Sequence, residues 1–245
     1  MNKWVDVSLL TIKLQRTYIS FTDTEKIIFS NMDAKISDKL KFAAETDNVE
    51  LLYDVIQDDP YVLENIDKQQ FVQTPLHFAA SMGHLRFATE LMNLKPSFAL
   101  KLNPQGFSPI HLAMKNLQFS SIHLVLKDIV LRFVDINKDV VKIKGKEGTL
   151  LHLAVQTGEV ELLAKFLFAC PESIEYLTAR WETALHIAVK NEQYESLDVL
   201  VIWLKRNNQR GAKKLEKKIL DQKDEEGNTI LHLSALNSET QVTSL

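Results

Sequence analysis

The chain holds 245 residues, of which 45% are hydrophobic and 25% charged, and its net charge is −3. That is the composition of a soluble globular protein, and it gives no overall attraction to nucleic acid or to acidic membranes. One cysteine, Cys170, excludes an internal disulfide, and no run approaches the ~18 apolar residues of a membrane helix, so the chain as it stands reads as cytoplasmic.

Residues 1–31 mix Thr, Ser and Lys with scattered apolar positions and keep no period, so they read as an irregular N-terminal extension ahead of Met32. From 32 to 235 the sequence is repetitive. A first unit, about 36–69, sets Leu40, Ala43 and Ala44 on one helical face. After Asp47-Asn48 it sets Leu51, Leu52, Val55 and Ile56 on a second. The second unit opens at Thr74-Pro75, a hydroxyl that can cap a helix followed by a proline suited to the first helical position. Leu76, Ala79 and Ala80 form a small apolar face, and Gly83 ends the helix. Leu85, Ala88, Leu91 and Met92 build the next one as far as Pro96.

Later units repeat this grammar. In the third, Ser108-Pro109 leads to a second helix read from Phe119, Ile122, Val125 and Leu126. A long link from Val134 to Lys138 then holds an insertion. The fourth runs from Thr149 through Gly158 to Leu162, Leu163, Phe166 and Leu167, and stops at Pro171. The fifth opens at Thr183 and carries Leu197, Leu200, Val201 and Leu204 on its second helix. Asn116 and Asn191 stand where an interhelix glycine is expected. A sixth unit begins at Thr229 with its second helix wanting, so a frayed tail is expected over 236–245.

One phrase recurs through these units: Thr74-Pro75-Leu76-His77-Phe78-Ala79 has counterparts centred on His111, His152, His186 and His232. The histidines stand 34, 41, 34 and 46 residues apart. A fixed period of this size with two insertions means stacked supersecondary units, which present a surface rather than a cleft. The phrase, set among helix, glycine, helix and turn, resembles the ankyrin repeat. What the resemblance implies is an all-α solenoid of helix–turn–helix units joined by projecting turns, and a non-catalytic scaffold for protein–protein interaction. A narrower resemblance lies in Lys217-Lys218-Ile219-Leu220 followed by Asp224-Glu225-Glu226-Gly227-Asn228-Thr229. It points to the plant ankyrin–transmembrane immune regulators of the bian da and accelerated-cell-death type. It implies plant defence signalling, and a plasma-membrane location for longer forms that carry a membrane domain after the repeats. This chain reads as a form truncated before that domain.

The chemistry of enzymes is not visible. Units stacked roughly 10 Å apart cannot bring neighbouring phrase histidines to the ~2.1 Å that zinc requires. The histidines read as hydrogen-bonding ties for their turns, and no metal or cofactor is expected. Ser or Thr beside His recurs once per unit, as a cap would and a catalytic nucleophile would not, so no catalytic residue is assigned.

Two surfaces are candidates for contact. The turn tips and the positions after each phrase carry Phe71, Val72, Gln105, Phe107, Lys115, Gln156, Arg180 and Trp181, including the residue types that anchor protein interfaces. The second is the basic insertion 205–218, with Arg210, Lys213, Lys214, Lys217 and Lys218. It offers an alternative reading as a weak contact with a membrane surface or anionic lipid. The segment lacks the interleaved aromatics of a single-strand nucleic-acid surface, so no nucleic-acid partner is expected.

Overall fold

A computed structural model describes residues 35–117, 121–206 and 212–243, excluding the side chains of 212 and 238–243. The extension read over 1–31 and the candidate Arg210 lie outside the described residues, as do Phe119 and the last two residues of the tail. The chain divides into two units, Met1–Asp38 and Lys39–Leu245. Of the first, residues 35–38 are described and are helical.

The second unit is a run of helical hairpins. Its elements are α1 (39–45), α2 (Val49–Asp58), α3 (Val62–Asp67), α4 (Pro75–Met82), α5 (Leu85–Leu94), α6 (Pro109–Asn116) and α7 (His123–Ile136). They continue with α8 (Leu150–Thr157), α9 (Val160–Ala169), α10 (Ala184–Lys190), α11 (Tyr194–Arg206), α12 (Ala212–Leu220) and α13 (Ile230–Thr243). Three-residue-per-turn segments at Pro96–Leu100, Lys138–Lys142 and Pro171–Glu175 close α5, α7 and α9 and turn the chain outward.

The helices that begin at the repeated phrase, α4, α6, α8, α10 and α13, form one layer, each packed on the next. Small residues allow this approach: Leu76, Ala79 and Ala80 of α4 and Ile110 and Ala113 of α6 are fully buried. The second helices form the outer layer and supply the bulk of the core. Phe87, Leu91 and Met92 of α5, Ile129 and Phe133 of α7, and Phe166 and Leu167 of α9 fill the space between layers.

Three details depart from the reading of the sequence. The first insertion is not a link. It continues α7 to Ile136, making that helix 14 residues long against 10 in α5 and α9, and it buries Leu126, Ile129, Val130 and Phe133. Ile122 therefore serves as cap and Val125 faces outward, because the apolar stripe starts one turn later than expected. The left-handed residue ending α10 is Glu192 (φ 55°) rather than Asn191 (φ −102°), and α6 ends at Leu117 (φ −56°) after Asn116. The equivalent positions elsewhere are Gly83 and Gly158, nine residues after their units' caps, and Asp47 (φ 53°) is left-handed just after α1. The tail is helical as far as Thr243, which leaves its fraying an expectation.

Candidate interaction surface

The turns between units form tips. In three of them the first side chain accepts the amide N–H groups two and four residues on. Asn103 Oδ1 accepts from Gln105 and Phe107, Thr178 Oγ1 from Arg180 and Glu182, and Asp224 Oδ1 from Glu226 and Asn228, at 2.8–3.2 Å. A backbone pair closes each loop, for example Thr178 N–H to Glu182 O at 3.0 Å. Neighbouring tips join edge to edge. Lys146 N–H donates to Gly106 O and Glu225 N–H to Arg180 O, both at 2.9 Å, and Asn103 Nδ2 donates to Gln73 Oε1.

The phrase histidines bind this ridge to the helices. Thr74 N–H donates to His77 Nδ1 at 3.1 Å, so that nitrogen carries no proton. The Nε2–H then donates across the unit boundary to Phe107 O at 3.0 Å. His111 reaches Gly148 O and His186 reaches Asn228 O in the same way, both at 3.3 Å. The histidine takes the part that Glu or Gln plays in a capping box, and adds a tie to the next unit. Burial pushes the imidazoles of His77, His111 and His152 down to about 4, so they stay neutral. His152 differs in one respect: its Nε2 is buried without a hydrogen-bond partner among the described residues.

The candidate residues distribute unevenly over this frame. Phe71 and Trp181 stand out from their tips, 61% and 62% exposed. Both have left-handed backbones, at φ 49° and 61°. Trp181 occupies the place that Gly106 (φ 83°) and Gly227 (φ 84°) hold in other tips, two residues before the next cap. Arg180 is exposed beside it, its Nε 3.0 Å from Glu225 Oε1. Gln105 and Gln156 are exposed and Val72 is half-buried. Phe107 turns inward, 9% exposed, with Lys115 Nζ 4.3 Å from its ring centroid and held by Glu147 at 2.7 Å. The tips thus share one ridge, but Phe107 belongs to its underside.

Lys213, Lys214, Lys217 and Lys218 lie on α12, all exposed, apart from the repeats.

A groove of about 530 Å³ runs between the outer helices α5 and α7. Its walls carry Arg86 and Glu90 facing Asp128 and Arg132, over Leu85 and Leu131. Among the described residues no cluster of His, Cys, Asp and Glu could hold a metal ion, and no helix is long and apolar enough to cross a membrane.

A family profile for ankyrin repeats, in three copies, matches residues 40–132. The fold is an ankyrin-repeat solenoid. The ankyrin repeat-containing protein BDA1 of Arabidopsis thaliana is 47% identical over 70 residues, which is 29% of this chain and 16% of that protein's length. Among solved structures, a chain from the complex of the Bd0816 predatory endopeptidase of Bdellovibrio bacteriovorus with the immunity protein Bd3460 superposes with a TM-score of 0.58. The identity is 22%, and the alignment covers 83% of this chain and 94% of that one. At that identity the likeness is one of fold alone.

The ankyrin frame also contains a cluster that the sequence did not disclose. Lys190, at the end of α10, lies 2.8 Å from Glu182 Oε1 and 2.9 Å from Asp224 Oδ2, both carboxylates being buried. It clamps the tip before the fifth unit to the tip after it. Desolvation pushes Asp224 up, but hydrogen bonds from Lys190 and from the Asn228 and Glu226 amides outweigh it and leave the carboxyl below its usual range. No local motif marks this trio, because its members are 8 and 34 residues apart.

Proposed function

We propose that this chain is a non-catalytic protein-binding scaffold that meets its partner along the tip ridge, with Trp181 and Phe71 as anchors. The observation that carries the reading is conformational. A left-handed backbone costs a residue with a Cβ roughly 1–2 kcal/mol, which a glycine avoids. In both tips that cost falls on an aromatic whose side chain is mostly in water, so packing within the fold does not offset it. Held on a tip closed by hydrogen bonds, the Trp181 ring loses little freedom when a partner closes over it.

The repeat architecture supports the coarser statement, since such stacks work as binding surfaces. Plant defence signalling is the proposed setting, on the resemblance of the repeats and of the lysine-rich insertion to plant ankyrin proteins. A cytoplasmic location for this chain, and the plasma membrane for longer forms, belong to the same proposal.

The test is affinity capture from plant extract with the wild-type chain and with F71G/W181G, a double variant that suits both backbones. Proteins retained by the wild type and lost from the variant are the expected result. Retention of the same set by both would remove the ridge from the reading.

A further inference from the structure

Helix α12 stands outside the repeat grammar and divides its residues by helical angle. Ile219 is buried and Leu215 half-buried, on the side that packs against α11. Lys213, Lys214, Lys217 and Lys218 fall within an arc of roughly 140° on the opposite side, and all four are exposed. Lys205 and Arg206, also exposed, end α11 just before it.

In sequence, the acidic run after α12 stands beside this charge as if to cancel it; in three dimensions much of it is engaged elsewhere. Asp224 is buried against Lys190, and Glu225 pairs with Arg180. Of the four lysines, Lys218 pairs with Glu175 at 2.7 Å. Lys213, Lys214 and Lys217 form no ion pair among the described residues. Three ammonium groups unpaired among the described residues, a fourth half-committed, and Glu216 as the acid within the helix make a locally basic face on a chain whose net charge is −3.

We propose that this face of α12 docks on the surface of an anionic phospholipid bilayer. A protein partner fits it poorly: interfaces between proteins are depleted in lysine and anchored by aromatics and arginine, and this face carries no aromatic side chain. Single-stranded nucleic acid would want stacking rings. A fluid leaflet of anionic headgroups asks only for mobile positive charge near its plane. The apolar side of α12 is already spent on α11, so the helix adsorbs by charge and does not insert. This contact is independent of the tip ridge and goes beyond the scaffold reading.

Vesicle co-sedimentation of the full chain tests it, with vesicles of phosphatidylcholine carrying about 30% phosphatidylserine, and of phosphatidylcholine alone. The wild type is expected to partition onto the anionic vesicles and to leave them near 0.5 M salt, since the screening length shrinks severalfold between about 0.01 and 1 M. Each lysine near the leaflet contributes about 5-fold in partitioning, so K213Q/K214Q/K217Q/K218Q is expected to lose roughly 100-fold or more. The control K68Q/K138Q/K144Q/K146Q removes the same charge from exposed positions elsewhere and should keep most of the binding. An equal loss in both quadruple variants overturns the proposal, as does absence of wild-type binding. So does tighter binding to polyglutamate or to single-stranded DNA than to the vesicles. None of these results bears on the ridge, whose variants leave α12 intact.

Discussion

Trp181 shows how one residue can be held against its local backbone preference. Its tip is closed by the same hydrogen bonds as the tips that hold Gly106 and Gly227, so the left-handed geometry belongs to the loop and the tryptophan submits to it. Replacing Trp181 by glycine should relieve the backbone cost. Part of the gain is returned through the extra freedom of glycine in the unfolded chain, about 0.5–1 kcal/mol. A net stabilisation of about 0.5–1 kcal/mol is expected, read as a higher urea midpoint at unchanged slope. A midpoint that fell would mean that the ring packs favourably in the free protein, and would weaken its claim as an anchor. Aromatics at the tips were visible in the sequence, whereas their backbone state was not. Phe107 illustrates the difference. It sits one residue before a cap, as Phe71 sits three before and Trp181 two, and the loop geometry turns it beneath Lys115 rather than outward.

At the scale of elements, the junctions between units carry most of what a reader of the sequence would miss. The Lys190 clamp joins two tips through one ammonium and two buried carboxylates. Lys190→Met should cost about 3–5 kcal/mol, because it strands two charges away from water. Thermal or urea unfolding of the variant measures this, and a loss under 1 kcal/mol would show that water reaches the pair. The last helix makes the opposite case. Leu231 and Leu236 of α13 are 76% and 52% exposed, so few apolar contacts oppose its opening. Amide hydrogens over 237–243 should exchange at least tenfold faster than those of α8, although both segments are helical. Mass-spectrometric exchange compares them directly, and equal protection would count against a fraying tail. The insertions teach a related lesson. The extra residues of α7 read as a link, and those of α12 as an insertion, while only the repeat period is considered. In the folded chain they continue or line the outer layer, because their apolar residues find a neighbouring helix there.

For the whole molecule, three neutral histidines buried in the spine make stability depend on pH. Their folded values of about 4 lie below the ordinary value near 6.5 that they regain on unfolding. Between those values the unfolded chain binds protons that the native chain refuses. Stability is therefore fully present above about pH 6.5 and is lost as pH falls toward 4. One such group loses about 1.4 kcal/mol per pH unit, so three together approach 4 kcal/mol per unit in mid-window, against a total of 5–15 kcal/mol for a typical domain. Acid unfolding is expected near pH 5, well above carboxylate titration. Urea midpoints at pH 7, 6 and 5 check it, and a flat series would mean that the imidazoles titrate alike in the folded and unfolded chains.

The recurring phrase and its period by themselves determined the architecture: the spacing of small apolar residues, cap and glycine admits one way of stacking such hairpins. They also determined that the histidines are structural, since one per unit at a fixed interval cannot converge. Only the tertiary structure decided which tip side chains face water, which acidic residues are consumed by Lys190 and Arg180, and that His77, His111 and His186 reach into the next unit. Those outcomes depend on contacts between residues some 30 to 40 positions apart, whose geometry is set by how one hairpin seats on another and leaves no local mark along the chain.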